Sequence, residues 1–282
     1  MTGSAVSMGE ELARSVHPEK VFAFLPGMSA ANLAALYGLD EPAYAAIRDR
    51  FAAQTAAAAR QLLAEPEFAA AVDRLPFAAG QTLAVIGEST TDAADSWLEI
   101  LGHLIRLRRP ADAIKLVNTA ISGYPTTMLQ RIMSETLQRY RPSWVALFAG
   151  ANDALRYGTG ATRPLVTDTE TARNLAEMRR QVAAAGARGI WMTTTGHDTA
   201  RIAAYPPFQA QQIWLEDDDL RAVDNAIRTT AGDGDVVVDL SGAFGSPPDR
   251  GLLRADGLHP TLAGQQAIAK RFVERLAGST QV

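Results

Sequence analysis

Three residues in this sequence are of the types that catalyse acyl transfer when they meet: a serine, a histidine and an aspartate. Ser89 comes shortly after an apolar run, and His259 lies near the C-terminal end, three residues after Asp256. An imidazole accepts the proton of a serine hydroxyl, and a carboxylate close by holds the imidazole in the right tautomer. We therefore predict Ser89 as a nucleophile, His259 as its base and Asp256 as the residue that orients the base.

Two further residues are suited to hold the negative charge that develops on a carbonyl oxygen in such a reaction. Gly123 follows the second predicted strand and offers a backbone amide, and Asn152 follows the third and offers a carboxamide. Hydrogen-bond donors that face a developing oxyanion lower the barrier to acyl transfer. The sequence therefore predicts a nucleophile and an oxyanion hole in one crevice.

The segments that must position these residues alternate between strands and helices from Gln81 onward. Apolar runs predict five strands, at Leu83–Ile86, Ile114–Val117, Trp144–Phe148, Ile190–Thr194 and Val236–Leu240. Amphipathic segments predict helices at Ser96–Arg108, Thr126–Arg139, Thr169–Ala185, Asp217–Thr229 and Thr261–Leu276. Apolar strands separated by helices are typical of a parallel sheet covered on both faces. We predict a flavodoxin-like three-layer α/β/α fold with strand order 2-1-3-4-5, in which the first three strand ends are neighbours.

The first 79 residues differ from the rest because they predict helices without strands. Asp40 suits the cap of a helix whose apolar residues recur at helical spacing, and Pro66 is expected to end or kink that helix. We divide the chain into a helical N-terminal extension, residues 1–79, and a hydrolase domain, residues 80–282. The extension is interpreted as a lid, a dimerisation surface that would make a homo-oligomer, or a packing element.

Each candidate residue also has an ordinary structural interpretation when it is taken alone. Ser89 would cap a helix, and Gly123 and Asn152 would form turns. The match of Asp256 with His259 is by itself a common pattern. The joint pattern favours catalysis, because all of these residues occur near a predicted strand end or helix start.

Three other histidines compete with His259 for the role of base. We expect His17 to be exposed in the extension and His103 to be structural within a helix. His197 is the real rival, because it follows the fourth predicted strand and stands beside Asp198. Adjacent residues rarely form a well-oriented histidine–carboxylate pair, so we favour His259.

Four short blocks of the sequence resemble the signature blocks of the SGNH (GDSL-like) hydrolases, namely Gly87-Glu88-Ser89, Gly123, Gly150-Ala151-Asn152-Asp153 and Asp256-Gly257-Leu258-His259-Pro260. The resemblance covers roughly residues 80 to 278. It implies a flavodoxin-like fold and the activity of an esterase, lipase, thioesterase or carbohydrate deacetylase that needs no metal. It further implies Ser89 as nucleophile, Asp256 and His259 as its triad partners, and Gly123 and Asn152 as oxyanion donors together with the Ser89 amide.

The sequence departs from the family pattern on both sides of the nucleophile. The family usually has aspartate before the serine, where this chain has Glu88, and a hydrophobic residue after it, where this chain has Thr90. We expect the longer carboxylate to change the local geometry and not the nucleophile. A long loop is predicted from Thr199 to Asp218. The candidates for the substrate pocket are Glu88, Thr90, Asp153, His197 and Trp214.

Composition and charge narrow the range of partners. The 282 residues include no cysteine, which excludes thiol nucleophiles, thiolate zinc sites and disulfides. The formal net charge of −4 argues against nucleic acid. No apolar stretch reaches the ~20 residues that span a bilayer, and no signal-peptide pattern opens the chain, so we expect a cytoplasmic protein. The spacing of histidine, aspartate and glutamate predicts no metal site, and we expect no cofactor.

Together these observations predict a serine esterase that hydrolyses a small-molecule ester through an acyl-enzyme on Ser89. Two alternatives use the same triad: an acyltransferase passes the acyl group to another alcohol, and a thioesterase cleaves a thioester. A binding module that retains the motif without catalysis is a third alternative, which the complete set of residues disfavours.

Overall fold

Strands and helices alternate through most of the chain in the computed structural model, which describes residues 7–278. The strands are β1 (Thr82–Gly87), β2 (Lys115–Asn118), β3 (Trp144–Phe148), β4 (Leu155–Tyr157), β5 (Arg188–Met192), β6 (Ile213–Leu215) and β7 (Val236–Val238). Five of them form a parallel sheet in the order β2-β1-β3-β5-β7. Counted along the chain within this sheet, the order is 2-1-3-4-5, and the flavodoxin-like prediction is confirmed. β4 and β6, which were not predicted, pair antiparallel in a separate sheet.

Fourteen α-helices accompany the strands within residues 7–278. Those before β1 are α1 (Met8–Ser15), α2 (Pro18–Val21), α3 (Ala30–Leu36), α4 (Glu41–Leu63) and α5 (Pro66–Asp73). The later ones are α6 (Ser89–Asp92), α7 (Trp97–Arg108), α8 (Thr126–Tyr140), α9 (Ala151–Ala154), α10 (Asp168–Ala184), α11 (Thr199–Ala204), α12 (Pro206–Ala210), α13 (Asp217–Thr230) and α14 (Leu262–Gly278). The five predicted helices correspond to α7, α8, α10, α13 and α14, whose ends lie within two residues of the predicted ones.

Helices cover both faces of the parallel sheet, as apolar strands of this kind require. On one face, α4, α5, α7 and α14 share a core that includes Trp97, Phe148 and Phe272. On the other, α8, α10 and α13 surround Leu129 and Trp191. β3 is buried at every residue because it has a strand on each side and helices on both faces. This packing fixes the sheet edge at which the parallel strands end.

Two glycines let the backbone approach its neighbours closely at that edge. A Cβ on Gly87 would lie 2.7 Å from the carbonyl oxygen of Phe148, so the glycine allows β1 to stay paired with β3 up to the turn. Gly150, between β3 and α9, has a φ of +117°, which side chains disfavour, and a Cβ there would lie 2.5 Å from Val223. The ends of β1 and β3, which lead to Ser89 and Asn152, therefore depend on glycine.

The N-terminal helices pack onto the layer that covers the sheet. Asp40 caps α4 as predicted, and its side chain accepts the backbone N–H of Ala43 at 2.7 Å. The next helix, α5, begins at Pro66, and both helices contribute to the core around α7 and α14, for example through Leu62 and Phe68. The division of the chain at residue 79 and a homo-oligomer formed through these helices stay predictions.

The segment from residue 199 to 218 is not the long loop that the sequence predicted. It contains α11, α12, β6 and the start of α13. Pro206 occupies the first turn of α12, where a proline needs no hydrogen-bond partner for its nitrogen. β6 is stabilised by its pairing with β4, a partner distant in sequence. The prediction was wrong because neither the short helices nor a three-residue strand has a strong local signal.

Candidate active site

The turn after β1 places Ser89 at the sheet edge where the parallel strands end. β1 ends at Gly87, and Ser89 begins the four-residue helix α6. The carbonyl of Glu88 accepts the backbone N–H groups of Thr91 and Asp92, each at 2.9 Å, so the chain turns immediately after the strand. The side chain of Ser89 is half-buried and lines a cavity at this edge.

A continuous series of polar contacts joins the three predicted triad residues. The Oγ of Ser89 lies 2.9 Å from Nε2 of His259, and Nδ1 of the same ring lies 2.8 Å from Oδ2 of Asp256. The other oxygen of Asp256 accepts the backbone N–H groups of Leu258 at 2.8 Å and of His259 at 2.9 Å. These contacts have the geometry of a nucleophile, its base and the carboxylate that orients the base.

The aspartate and the histidine share one short loop, residues 253–260. A β-bridge between the first and last residues closes the loop at its base. Inside it, Arg254 donates its backbone N–H to the carbonyl oxygen of His259 at 2.8 Å. Gly257 has a φ of +73°, which makes the tight turn that brings the two side chains together. The base and its carboxylate therefore form one local unit.

The charge of Asp256 suits its position beside the imidazole. Burial alone would raise the pKa of Asp256, but the hydrogen bond and charge of His259, with two backbone N–H donors, hold that pKa below its usual value. A carboxylate that is ionised at neutral pH stabilises an imidazolium when the ring takes a proton. The loop thus places an ionised carboxylate beside the base.

Asn152 lies on the element beside the nucleophile, at the start of α9. It lines the same cavity as Ser89 and His259. Its Nδ2 donates to Oε2 of Glu88 at 2.7 Å and to the carbonyl oxygen of Tyr124 at 3.3 Å. The second bond is the longer and weaker of the two. A substrate oxygen could accept the hydrogen of this weaker bond in place of the Tyr124 carbonyl oxygen.

Gly123 lies on the loop between β2 and α8, with a φ of +78°. This loop is bonded to both sides of the nucleophile's turn. Ile121 donates its N–H to the carbonyl oxygen of Gly87 at 3.0 Å, and Ser122 donates its N–H to Oδ2 of Asp92 at 2.9 Å. The backbone amide predicted as an oxyanion donor is thus carried beside the turn of the predicted nucleophile.

The carboxyl group of Glu88, the residue before the predicted nucleophile, is buried beneath this arrangement. It accepts the backbone N–H of Ala151 at 3.1 Å, the backbone N–H of Asn152 at 3.3 Å and the Asn152 side chain. Burial, with the nearby charge of Asp153, raises the pKa of Glu88 to about 8. Glu88 therefore holds its proton at neutral pH and fastens α9 to the nucleophile's turn.

Replacement of Glu88 by glutamine should change how stability depends on pH. The pKa of Glu88 is about 8 in the folded protein and about 4.5 in the unfolded chain, so between these values the folded state holds a proton that the unfolded state has released. The native protein should therefore lose stability as the pH rises through this range, by up to about 1.4 kcal/mol per pH unit from this group. Glu88→Gln should lack that part of the slope.

Urea unfolding at pH 5, 6.5 and 8 measures how the free energy of unfolding depends on pH in both proteins. The difference between native protein and Glu88→Gln isolates this residue from the other titrating groups. Parallel slopes would show that Glu88 titrates at an ordinary pKa.

Comparison with known proteins identifies the family. The family model described as the GDSL-like lipase/acylhydrolase family matches residues 85–267. The chain belongs to this family. The match includes the whole parallel sheet except the first residues of β1, together with Ser89, Gly123, Asn152, Asp256 and His259. The protein is accordingly a serine hydrolase of the GDSL type, which acts on ester bonds.

Individual relatives agree with this assignment. The chain is 26% identical over 193 residues to the esterase TesA of Pseudomonas aeruginosa, a match that spans 67% of this chain and 84% of TesA. Among solved structures, LAE5, an α/β hydrolase enzyme from the metagenome of Lake Arreo, has a TM-score of 0.58 and 24% identity over 74% of this chain and 100% of its own. A variant of Axe2, an acetyl xylan esterase from Geobacillus stearothermophilus, has a TM-score of 0.55 and 21% identity over 71% and 96%.

The cavity at the nucleophile of this GDSL-type hydrolase is small, with a volume of about 20 Å³. Three of the predicted pocket residues, Glu88, Thr90 and His197, line it. A larger cavity of about 860 Å³ adjoins it, and the two share Thr194, Thr195, His197 and Leu220. The two threonines were not among the predicted pocket residues, although their position at the end of a predicted strand was a usable signal.

His197 belongs to the wall of both cavities and not to the triad. Its Nε2 lies 3.0 Å from Oδ1 of Asp217, and the ring forms no pair with the adjacent Asp198, as we expected for neighbouring residues. The structure therefore brings His259, and not His197, to the hydroxyl of Ser89.

The other two pocket candidates lie elsewhere. Asp153 is fully buried, and its carboxylate accepts hydrogen bonds from the Thr126 backbone at 2.8 Å and the Thr171 hydroxyl at 2.9 Å. Trp214 lies on β6, where the guanidinium of Arg156 is 5.0 Å from the centre of its ring. Neither residue is among those that line the two cavities. Asp153 connects three helices, and Trp214 anchors the small sheet.

One histidine prediction was wrong. His17 was expected to be exposed, but it is mostly buried, and its Nδ1 lies 3.0 Å from Oδ1 of Asp92. The sequence could not reveal this contact because the two residues are far apart along the chain.

Residues 7–278 also show whether a group of side chains could bind a metal ion and whether a helix could span a membrane. Among them, no three or more histidine, aspartate or glutamate side chains form a group that could hold a metal ion. No helix within these residues combines the length and the hydrophobicity that a transmembrane span requires. The cytoplasmic location stays a prediction.

Proposed function

We propose that this protein hydrolyses carboxylic esters through a covalent acyl-enzyme on Ser89. The observation that carries the proposal is the unbroken contact from Asp256 through His259 to the Ser89 hydroxyl, at 2.8 Å and 2.9 Å. Both ring nitrogens are engaged, one by the carboxylate and the other by the nucleophile. A ring held in this way takes a proton at Nε2 while Nδ1–H stays bonded to the carboxylate.

The reaction proceeds in two halves with the same groups. His259 takes the hydroxyl proton as the Ser89 oxygen attacks the ester carbonyl, and the negative charge on the carbonyl oxygen is held by the amides of Ser89 and Gly123 and by the Asn152 side chain. The carbon–oxygen bond to the leaving alcohol then breaks, and His259 gives that alcohol its proton. In the second half, water loses a proton to His259 and attacks the acyl carbon. The bond from that carbon to the Ser89 oxygen then breaks, and His259 returns the proton to this oxygen as the acid leaves.

Labelling with a fluorophosphonate probe tests the covalent step. Native protein should gain one phosphonyl group, and peptide mapping should place it on Ser89. Failure to label, together with failure to hydrolyse any ester, would favour the binding module over the hydrolase mechanism. Added acceptor alcohols and matched thioesters then separate the hydrolase from an acyltransferase and from a thioesterase by their products.

We further propose a preference for short acyl groups and polar alcohols. The cavity of about 20 Å³ at Ser89 is walled by Phe148, Leu220 and Leu258, and leaves little room beyond the reacting carbonyl. The wall of the adjoining cavity of about 860 Å³ carries threonine and serine hydroxyls and charged side chains of both signs, among them Asp198, Asp217 and Arg221. An alkyl chain placed there would remove water from polar groups without replacing their hydrogen bonds.

The expected result is a kcat/KM for p-nitrophenyl acetate that exceeds that for p-nitrophenyl octanoate by at least about 10-fold, because a misfitting methylene costs on the order of 1–3 kcal/mol. Leu220→Ala should reduce this ratio, because the smaller side chain enlarges the space between the two cavities. The ratio is measured within one preparation, so it does not depend on the folded fraction. A kcat/KM that rises with the length of the acyl chain would contradict the short-acyl preference and leave the triad assignment intact.

A further inference from the structure

The start of the N-terminal extension lies directly against the elements that carry the nucleophile and the oxyanion loop. Ala94, just after α6, donates its backbone N–H to the carbonyl oxygen of Arg14 at 2.8 Å. The hydroxyl of Ser122, next to Gly123, lies 2.6 Å from the carbonyl oxygen of Ser15. The family match begins only at residue 85, so these contacts come from a part of the chain outside it.

Asp92 is the first residue through which the extension contacts the elements of the active site. Its side chain is 1% exposed, and a buried carboxylate needs compensating partners. The extension supplies two of them, Nδ1 of His17 at 3.0 Å and Nζ of Lys20 at 2.5 Å. The other carboxylate oxygen accepts the N–H of Ser122 at 2.9 Å and lies 2.8 Å from its hydroxyl. Asp92 thus joins the extension to the residue before Gly123.

Lys20 also makes a direct contact with the loop that carries Gly123. Its Nζ donates to the carbonyl oxygen of Ala120 at 3.3 Å. The loop 120–123 is therefore bonded to the nucleophile's turn on one side and to the extension on the other. Because the amide of Gly123 belongs to this loop, its direction depends on both sets of contacts.

Arg14 provides a second point of contact, toward the loop that carries the base. Its side chain is 7% exposed and its Nη1 lies 3.4 Å from Oδ1 of Asp95, which is 5% exposed. The other oxygen of Asp95 lies 2.9 Å from Nη2 of Arg254. Arg254 in turn donates from Nε to the carbonyl oxygen of Pro260 at 3.0 Å, beside His259. A series of charges, in which Arg14 and Asp95 are buried, thus runs from α1 to the histidine loop.

We propose that Arg14, Ser15, His17 and Lys20 form a brace, a set of positioning residues that holds the oxyanion loop and the histidine loop in register with Ser89. The proposal rests on the proposed function, because it assigns a role to the loops of that same site. None of the four side chains touches the reacting atoms, so the brace acts through Asp92, Ser122 and Arg254. Loss of the brace should lower kcat and leave KM nearly unchanged, since an oxyanion donor acts mainly in the transition state.

Lys20→Met tests the brace at its most direct contact with the loop. We expect kcat for p-nitrophenyl acetate to fall between about 10- and 100-fold, the effect of a small misplacement of catalytic groups, with KM within about twofold. The rate of phosphonylation by a fluorophosphonate should fall in parallel. Lys20→Arg, which keeps the charge, should recover most of the rate. Arg50→Met is the matched control, because Arg50 lies on the same extension and forms a more exposed pair with Glu10.

Hydrogen exchange of the backbone amides at 120–124 gives a readout that does not require activity. These amides should exchange faster in Lys20→Met than in the native protein or in Arg50→Met, at a temperature where all three are folded. Unchanged exchange, or faster exchange with an unchanged kcat, overturns the brace. If native protein neither hydrolyses esters nor labels at Ser89, the proposed function fails, and the exchange rates alone decide whether the extension holds the loop.

Discussion

Ser89→Ala is expected to reduce kcat for p-nitrophenyl acetate by at least about 10⁴-fold, the scale of loss when a triad nucleophile is removed. The hydroxyl lies 2.9 Å from Nε2 of His259 and is the group in the proposed site that would form the acyl bond. Alanine removes one oxygen from a half-buried position at the start of α6, so the fold should be kept. The thermal midpoint should therefore change by only a few degrees.

The control for this variant is an exposed serine of α8 that lines neither cavity. Ser134→Ala should leave kcat within about twofold, because it removes a surface hydroxyl away from the site. Residual turnover is checked by active-site titration with the fluorophosphonate, which detects traces of native enzyme. If Ser89→Ala hydrolyses the ester as fast as native protein, Ser89 is not the nucleophile.

Asn152→Ala is expected to lower kcat by on the order of 10²–10³-fold, the usual effect of losing one oxyanion donor. In the structure, both hydrogens of its Nδ2 have partners, Glu88 at 2.7 Å and the carbonyl oxygen of Tyr124 at 3.3 Å. A substrate oxygen has to replace the weaker of these bonds. Because that exchange favours the charged oxyanion over a neutral ester carbonyl, the loss should appear in kcat and little in KM.

Two variants give this measurement its controls. Asn225→Ala removes an exposed asparagine of α13 and should leave the rate unchanged. Asn152→Asp keeps the size of the side chain but places an acceptor where a donor is needed, so it should be at least as slow as Asn152→Ala. An Asn152→Ala enzyme with native kcat would assign the oxyanion to the backbone amides alone.

Much of the site was predictable because its residues lie at the ends of strongly apolar strands. Once the order 2-1-3-4-5 is assumed, the positions of Ser89, Gly123 and Asn152 after the first three strands bring them to one edge. Asp256 and His259 were predicted from their spacing, and a local loop indeed joins them. These predictions depend on contacts that are either local or imposed by a parallel sheet.

The missed features depend on contacts between segments that carry little local signal. β4 and β6 have three residues each, and each is a strand only because it pairs with the other. The burial of His17 follows from its contact with Asp92, 75 residues later, which no periodicity reveals. Trp214 was placed in the pocket as an aromatic residue of a loop, whereas strand pairing directs it toward Arg156.

The loop 253–260 has an evolutionary consequence, because it keeps the acid and the base of the triad within a few consecutive residues. Insertions or deletions anywhere between Ser89 and residue 253 leave the pair intact, provided that the loop still reaches the nucleophile. Between β3 and β7 the chain contains the two-stranded sheet of β4 and β6 and three short helices, α9, α11 and α12. Lineages of such enzymes are free to rebuild the substrate side of the molecule without having to reassemble the proton-transfer pair.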